Sequence, residues 1–276
     1  MSAVSPESKS ILEHALRCLH SGIPEPITGS DSALWSERCV EVPWVAGNLG
    51  RAERILDVGW SMSAPEWLGV LLACRQRGAH VTGIDIVDPT RVTSRYPQEW
   101  LDDVLSVPVI VEDVLSFSAQ DRSFDLVTCV STLEHIGFDQ ATAREVTETV
   151  FERAPTIDGQ ASRSSRSAST DQIFLDVIFQ LLEPGGRLLL TVPVGADRPV
   201  IKQDSLGLFT YFYEYGPRSL QCFFQDSRFT VSKSSYFELS SDQGWLDIPD
   251  MAGFRERSSD LQPYANGCAC LELTRV

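Results

Sequence analysis

Between residues 5 and 20, apolar side chains recur every three or four positions: Ile11, Leu12, Ala15, Leu16 and Leu19. That spacing predicts a helix over Ser5–His20. Ser5 can cap it, Pro6 suits the first turn, and Glu7 favours the positive end of the dipole. "SGIPEP" stops it, and "LWSERCVEVPWVAGNLG" reads as a helical cover leading into the first strand. From Arg54 the rhythm changes. "RILDVG", "HVTGIDI", "VPVIVEDV", "SFDLVTCVS" and "RLLLTVPV" read as five short buried strands. "APEWLGVLLACRQRG" reads as a helix stopped by Gly78. "DQIFLDVIFQLL" reads as another, with Ile173, Phe174, Val177, Ile178, Leu181 and Leu182 on one face, ended by Pro184-Gly185-Gly186. "RFTVSKSSYFEL" and "GCACLELTRV" supply a sixth and a seventh strand. Val/Ile/Leu-rich strands alternating with helices predict an α/β fold, a mostly parallel sheet covered on both faces.

Two stretches break the rhythm. Residues 138–170 contain "DGQASRSSRSAST", which buries too little apolar surface to order itself and predicts a mobile insert. Residues 195–266 mix aromatics, prolines and strand-like runs. The organisation expected is a helical cover over 1–53 and one domain over 54–276, with the insert at 138–170 and substrate-side elements at 195–266.

Composition narrows the setting. The chain has 276 residues, 43% hydrophobic and 22% charged, enough for a full core without disulfides. No apolar run reaches the roughly 18 residues of a membrane span, and "MSAVSPESKS" does not read as an export signal. The seven cysteines lack paired spacing, which fits a reducing cytoplasm. The net charge of −15 repels a phosphate backbone, so the expected partner is a small molecule, with neither nucleic acid nor membrane.

In an open α/β sheet, ligands bind beyond the carboxyl ends of the strands. Those ends carry Asp57, Gly59, Trp60 and Ser61; then Asp85; then Glu112 and Asp113; then Ser131, Thr132, Glu134 and His135. Asp85 lies 26 residues after Gly59, where a carboxylate can accept from both hydroxyls of a ribose. Taken together and in order, "ILDVGWS", "VTGIDI", "EDV", "FDLVTCVSTLEHI" and "LLEPGGRLLLTVPV" resemble the successive motifs of the class I S-adenosylmethionine-dependent methyltransferases over residues 54–194. The resemblance implies a Rossmann-like, seven-stranded sheet with its last strand antiparallel, and S-adenosylmethionine as cofactor. By this likeness Asp57, Gly59, Trp60 and Ser61 border the methionine moiety. Asp85 holds the ribose with Ile86 beside it among the cofactor contacts, Asp113 and Val114 border the adenine, and Ser131 sits near the methionine end.

One motif departs from the family. Its glycine-rich turn is here "GWSMS", in which Ser61 and Ser63 can replace glycines at negative φ and Trp60 must point away or form a wall. The missing glycines also argue against a pyrophosphate-bearing cofactor, which needs close backbone approach.

Methyl transfer from a sulfonium needs alignment and, for many acceptors, a base. His135 is the candidate base and Glu134 its orienting or substrate-contacting neighbour. Glu134, His135 and Asp139 are also donors in reach of a metal, but no second acidic pair accompanies them, and no metal is assigned. Tyr211, Tyr213 and Glu214 in "FTYFYEYGPRSL" are candidate substrate contacts. The function expected is methyl transfer to a hydroxyl or amine of a small molecule, a sugar, aminosugar or natural-product intermediate. The alternative is a non-catalytic binding or scaffolding protein that keeps the fold, which the altered turn leaves open.

Overall fold

A computed structural model of the chain describes residues 4–30, 35–118, 123–137, 166–167, 169–203, 209–251 and 265–276. Most of the expected insert at 138–170 falls outside them, as does the Tyr211 side chain.

Helix α1 (Pro6–Ser21) begins where its cap predicts: Ser5 Oγ accepts from the Ser8 amide, and Gly22, at φ 69°, ends it. Its buried stripe is Ile11, Ala15, Cys18 and Leu19, each large aliphatic contributing about 1.5–3 kcal/mol on burial. Helix α2 (Arg38–Asn48) differs in kind. Every residue from Cys39 to Asn48 is buried, Glu41 included. It lies against α1, and Trp44 Nε1 donates to Ser235 Oγ on the sheet at 3.0 Å. After it come β1 (Arg54–Val58), α3 (Pro65–Gln76), β2 (His80–Asp85), α4 (Leu101–Leu105), β3 (Val109–Val111) and β4 (Phe124–Val130). The second half holds α5 (Thr170–Leu181), β5 (Leu182–Pro193), β6 (Arg198–Gln203), β7 (Phe209–Glu214), α6 (Pro217–Gln225), β8 (Phe229–Ser240), β9 (Gly244–Ile248) and β10 (Gly267–Arg275).

The main sheet runs β3-β2-β1-β4-β5-β10-β8-β9. Strands β1 to β5 pair in parallel, while β10 is antiparallel to both β5 and β8. The antiparallel C-terminal strand is therefore as expected, but among the described residues the sheet has eight strands, not seven. The addition is β9, a five-residue edge strand joined to β8 by a tight turn that closes on Gly244 at φ 73°. A further hairpin, β6–β7, forms its own two-stranded sheet. Strand β5 also starts earlier than the Pro184-Gly185-Gly186 break suggested, because Gly185, at φ 78°, lets the chain pass that break within the strand.

Period-two burial explains the layers. Ile55, Leu126 and Leu189 face α1, α2 and α3. Leu56, Val58, Val127 and Leu188 face α5 and α6, meeting Phe174, Ile178 and Phe223. The order reverses between β1 and β4, so the carboxyl ends of those two strands form the crevice where a ligand is expected.

Candidate active site

Asp57, one residue before the end of β1, is fully buried. Its Oδ1 accepts from Trp67 Nε1 at 2.9 Å and Thr128 Oγ1 at 2.8 Å, tying α3 to β1 and β4. Its Oδ2 is buried and has no protein partner. Burial pushes its pKa up to about 7. Gly59 follows at φ 93°, its amide donating to Ile84 O, and a Cβ there would collide with Thr132. Trp60 was expected among the cofactor contacts; the structure instead buries it completely in the core. It lies over Gly83 of β2, where a Cβ would come within 2.6 Å of Trp60 Cβ and Cγ. Ser61 and Ser63 do stand in for glycines at negative φ, and Ser63 Oγ donates back to Gly59 O at 2.9 Å.

Ser61 is also fully buried, and it locks the turn to the tip of β2. Its amide donates to Asp85 Oδ2 at 2.9 Å, and its hydroxyl donates to Val87 O at 2.6 Å. Asp85 Oδ1 accepts from the Val87 amide at 2.9 Å, and Tyr96 Oη donates to Ser61 O at 3.0 Å. Asp85 is 8% exposed, and burial lifts its pKa to about 6 against these backbone bonds. Beside it Ile86 is 45% and Val111 48% exposed, an apolar pair at the tips of β2 and β3. Asp113 caps the short turn Val114–Ser116, its Oδ1 accepting from the Leu115 amide at 2.9 Å, while Val114 is buried.

The tip of β4 is held from outside the strand. Ser131 sits at φ 43°, in the left-handed region that non-glycine residues rarely enter. Its amide is bonded by Thr191 O and Oγ1, and its hydroxyl donates to Glu41 Oε2 at 2.8 Å. Glu41 also accepts from Thr191 Oγ1 at 2.6 Å and pairs with Arg38. Burial works against the charge on Arg38, yet the carboxylates of Glu41, Glu37, Glu66 and Glu134 hold its guanidinium protonated above its ordinary value. Glu134 is almost fully buried, and burial with the charges of Glu41 and Glu37 pushes its pKa up to about 8. Oε2 of Glu134 and Oε2 of Glu66 are both buried and lack protein partners. His135, by contrast, has a side chain 43% exposed, with Nε2 3.8 Å from Glu134 Oε1.

The β6–β7 hairpin stands next to this turn. Phe212 meets the His135 ring edge-on, with centroids 6.3 Å apart. Alternation along β7 puts Glu214 on the same face as Phe212, buried and paired with Arg198 Nε at 3.6 Å. Tyr213 faces the other way, onto Tyr215 and the Arg166 guanidinium 5.2 Å from its ring centre. The aromatic neighbouring His135 is thus Phe212 rather than Tyr213. Asp139 lies outside the described residues.

Sequence reasoning passed over Arg38, Glu41 and Glu66. The signal was a charged pair, Arg38 and Glu41, in an otherwise apolar helix. Its meaning depends on partners that lie 90 and 150 residues along the chain from Glu41.

A family model described as a methyltransferase domain matches residues 68–151, which run from α3 through β4. No curated protein matches the chain by sequence. Among solved structures, a SAM-dependent methyltransferase from Methanosarcina mazei aligns at 15% identity and TM-score 0.50, covering 84% of this chain and 96% of its own. The 1,6-didemethyltoxoflavin-N1-methyltransferase of Burkholderia thailandensis aligns at 13% identity and TM-score 0.46, covering 100% and 92%. A methyltransferase from Listeria monocytogenes described as S-adenosylmethionine-dependent aligns at 11% and 0.46, covering 81% and 91%. The resemblance read from the motifs is borne out at the level of the fold: the chain is folded like a SAM-dependent methyltransferase, with a methyltransferase-domain match over a span that includes β2, β3 and β4.

Proposed function

We propose that the protein transfers a methyl group from S-adenosylmethionine to a small molecule, and that the acceptor atom is an amine nitrogen rather than a hydroxyl oxygen. The observation that carries this reading is the group of buried carboxylate oxygens without protein donors at the crevice end of the sheet: Asp57 Oδ2, Glu66 Oε2 and Glu134 Oε2. Buried charge without a partner is costly. A cationic cofactor and a cationic acceptor supply the missing partners.

The residues at the tips fit the cofactor in kind. Asp85 has lone pairs left for ribose hydroxyls after accepting from Ser61 and Val87. Ile86 and Val111 offer apolar surface to an adenine, and the second oxygen of Asp113 can accept from its amino group. Arg38 is the cation suited to a carboxylate. When bound, S-adenosylmethionine supplies a methyl carbon activated by a positively charged sulfur. The chain's own part is to bind, orient and take a proton. A protonated amine has no lone pair to donate, so Glu134 accepts its proton; with a pKa near 8 that carboxylate is a far better base than an ordinary one. His135, at the exposed rim, passes the proton to solvent. An aminosugar or another natural-product amine fits this reading.

One observation favours the second reading, a fold kept for binding without turnover. Both oxygens of Asp85 are already engaged, Oδ2 by the Ser61 amide of the Trp60–Met62 turn and Oδ1 by the Val87 amide. Calorimetry with S-adenosylmethionine and S-adenosylhomocysteine separates the two. Catalysis requires both to bind at micromolar to low millimolar concentration; no heat from either removes the first reading.

A further inference from the structure

Arg166 lies within the Ser/Arg-rich tract, a setting that suggests a solvated side chain. Its side chain is only 4% exposed. Nε donates to Ile136 O at 2.8 Å, and Nη2 donates to Leu133 O at 3.2 Å. The fork pairs with Asp171 of α5, Nη1 to Oδ2 at 3.2 Å and Nη2 to Oδ1 at 2.6 Å. Nη2 also donates to Tyr215 Oη at 2.9 Å, and Tyr215 Oη donates in turn to Asp171 Oδ1 at 2.8 Å. The guanidinium stands 5.2 and 5.5 Å from the ring centres of Tyr213 and Tyr215.

The two carbonyls it holds bracket two residues only, Glu134 and His135. The planar fork of an arginine can fix both at once while its charge is balanced by Asp171; a lysine ammonium has no such fork. The same turn is held at its ends by other side chains. Ser131 is bonded to Glu41 and Thr191, and Thr170 packs so closely on Gly137 that no Cβ fits there. A loop this short, pinned from three elements, has little freedom to re-aim its side chains.

We propose that Arg166 is the positioning residue of the Glu134–His135 pair, setting the direction of both side chains through the carbonyls on either side of them. It rests on the reading of that pair as site residues but not on any ligand, so its test needs none. The full chain is compared with Arg166→Ala and Arg166→Lys by amide hydrogen exchange, by the NMR signals of the His135 ring, and by thermal unfolding. In Arg166→Ala, exchange across residues 133–137 rises at least about tenfold, and the His135 signals shift, while α1 and β8 keep their protection. Arg166→Lys keeps a charge facing Asp171 but not the fork, so it melts closer to the wild type than Arg166→Ala does, yet still shows the faster exchange and the shifted ring. If Arg166→Ala does not fold, the lysine variant alone decides. Wild-type exchange and wild-type His135 signals in a folded variant overturn the proposal. So does faster exchange spread evenly over the whole sheet, which marks a purely structural role. Failure here leaves the cofactor calorimetry untouched, and the reverse holds too.

Discussion

Glu134 and His135 are chain neighbours in opposite surroundings, one buried and one at the rim. Sequence alone favoured His135 as the base, because an unperturbed imidazole titrates near neutrality. What reverses the preference is burial, which no local pattern discloses: the strand end turns Glu134 inward beside Glu41 and Glu37, and its basicity rises. The consequence is measurable with labelled S-adenosylmethionine and a panel of aminosugars. Glu134→Gln, which keeps the shape and removes the proton acceptor, should lower turnover by about 10²–10⁴-fold. It should also abolish the rise in rate as pH climbs through about 8, where the wild-type carboxylate gains its base form. His135→Ala should bind cofactor normally and lose less. A Glu134→Gln enzyme with full turnover and an intact alkaline rise removes Glu134 from the role. At this scale the strand-end acids were legible and their surroundings were not. Asp57, Asp85 and Asp113 do stand at adjacent strand ends, but the bonds from Trp67, Ser61 and Leu115 that occupy one oxygen or more of each depend on the folded turns.

Elements were legible where one periodicity dominated. Helix α1 and strands β1, β2 and β4 follow their patterns closely, while β3 is shorter than its apolar run and β5 begins before the Pro184-Gly185-Gly186 break. The β6–β7 hairpin does not, because Phe209–Glu214 reads "FTYFYE", aromatic on both faces, and lacks the alternation that marks a half-buried strand. The Trp60–Met62 turn was ambiguous for another reason. Whether a tryptophan replaces a glycine there depends on what lies beneath it, and that is Gly83, on the neighbouring strand. The turn and β2 therefore behave as one packed unit. Gly83→Ala places a methyl group 2.6 Å from Trp60 Cβ and Cγ, atoms too close to the backbone to swing aside. The expected cost is about 1–3 kcal/mol in urea unfolding, with weaker binding of S-adenosylhomocysteine as the turn is displaced from Asp85. An alanine variant of unchanged stability means the turn is looser than this packing implies.

For the whole molecule, three buried carboxyls set the response to pH. Asp57, Asp85 and Glu134 are raised, chiefly by burial, to about 7, about 6 and about 8. In the unfolded chain such groups titrate near 4 (an approximate reference value). Between about pH 4 and 8 the folded state therefore binds more protons than the unfolded one. The stability they contribute is complete below pH 4 and lost as pH rises through their folded values. Asp226, held down to about 2 by the Arg228 guanidinium, acts in the opposite sense only at lower pH. The growing self-repulsion of a chain with net charge −15 adds to the loss at the alkaline end. The ligand-free protein should melt at a higher temperature at pH 5 than at pH 8; a melting temperature that climbs across that interval contradicts the assignment. The parallel pairing of the first five strands was legible in their alternation with helices and the antiparallel last strand in the family resemblance, while the strand order and the eighth strand were not. One consequence follows from where the last strand sits. Residues 267–275 lie inside the sheet, between β5 and β8, and bridge the two halves of it. A nascent chain still short of Gly267 exposes the open edge of β5 and leaves β8 with no neighbour on that side.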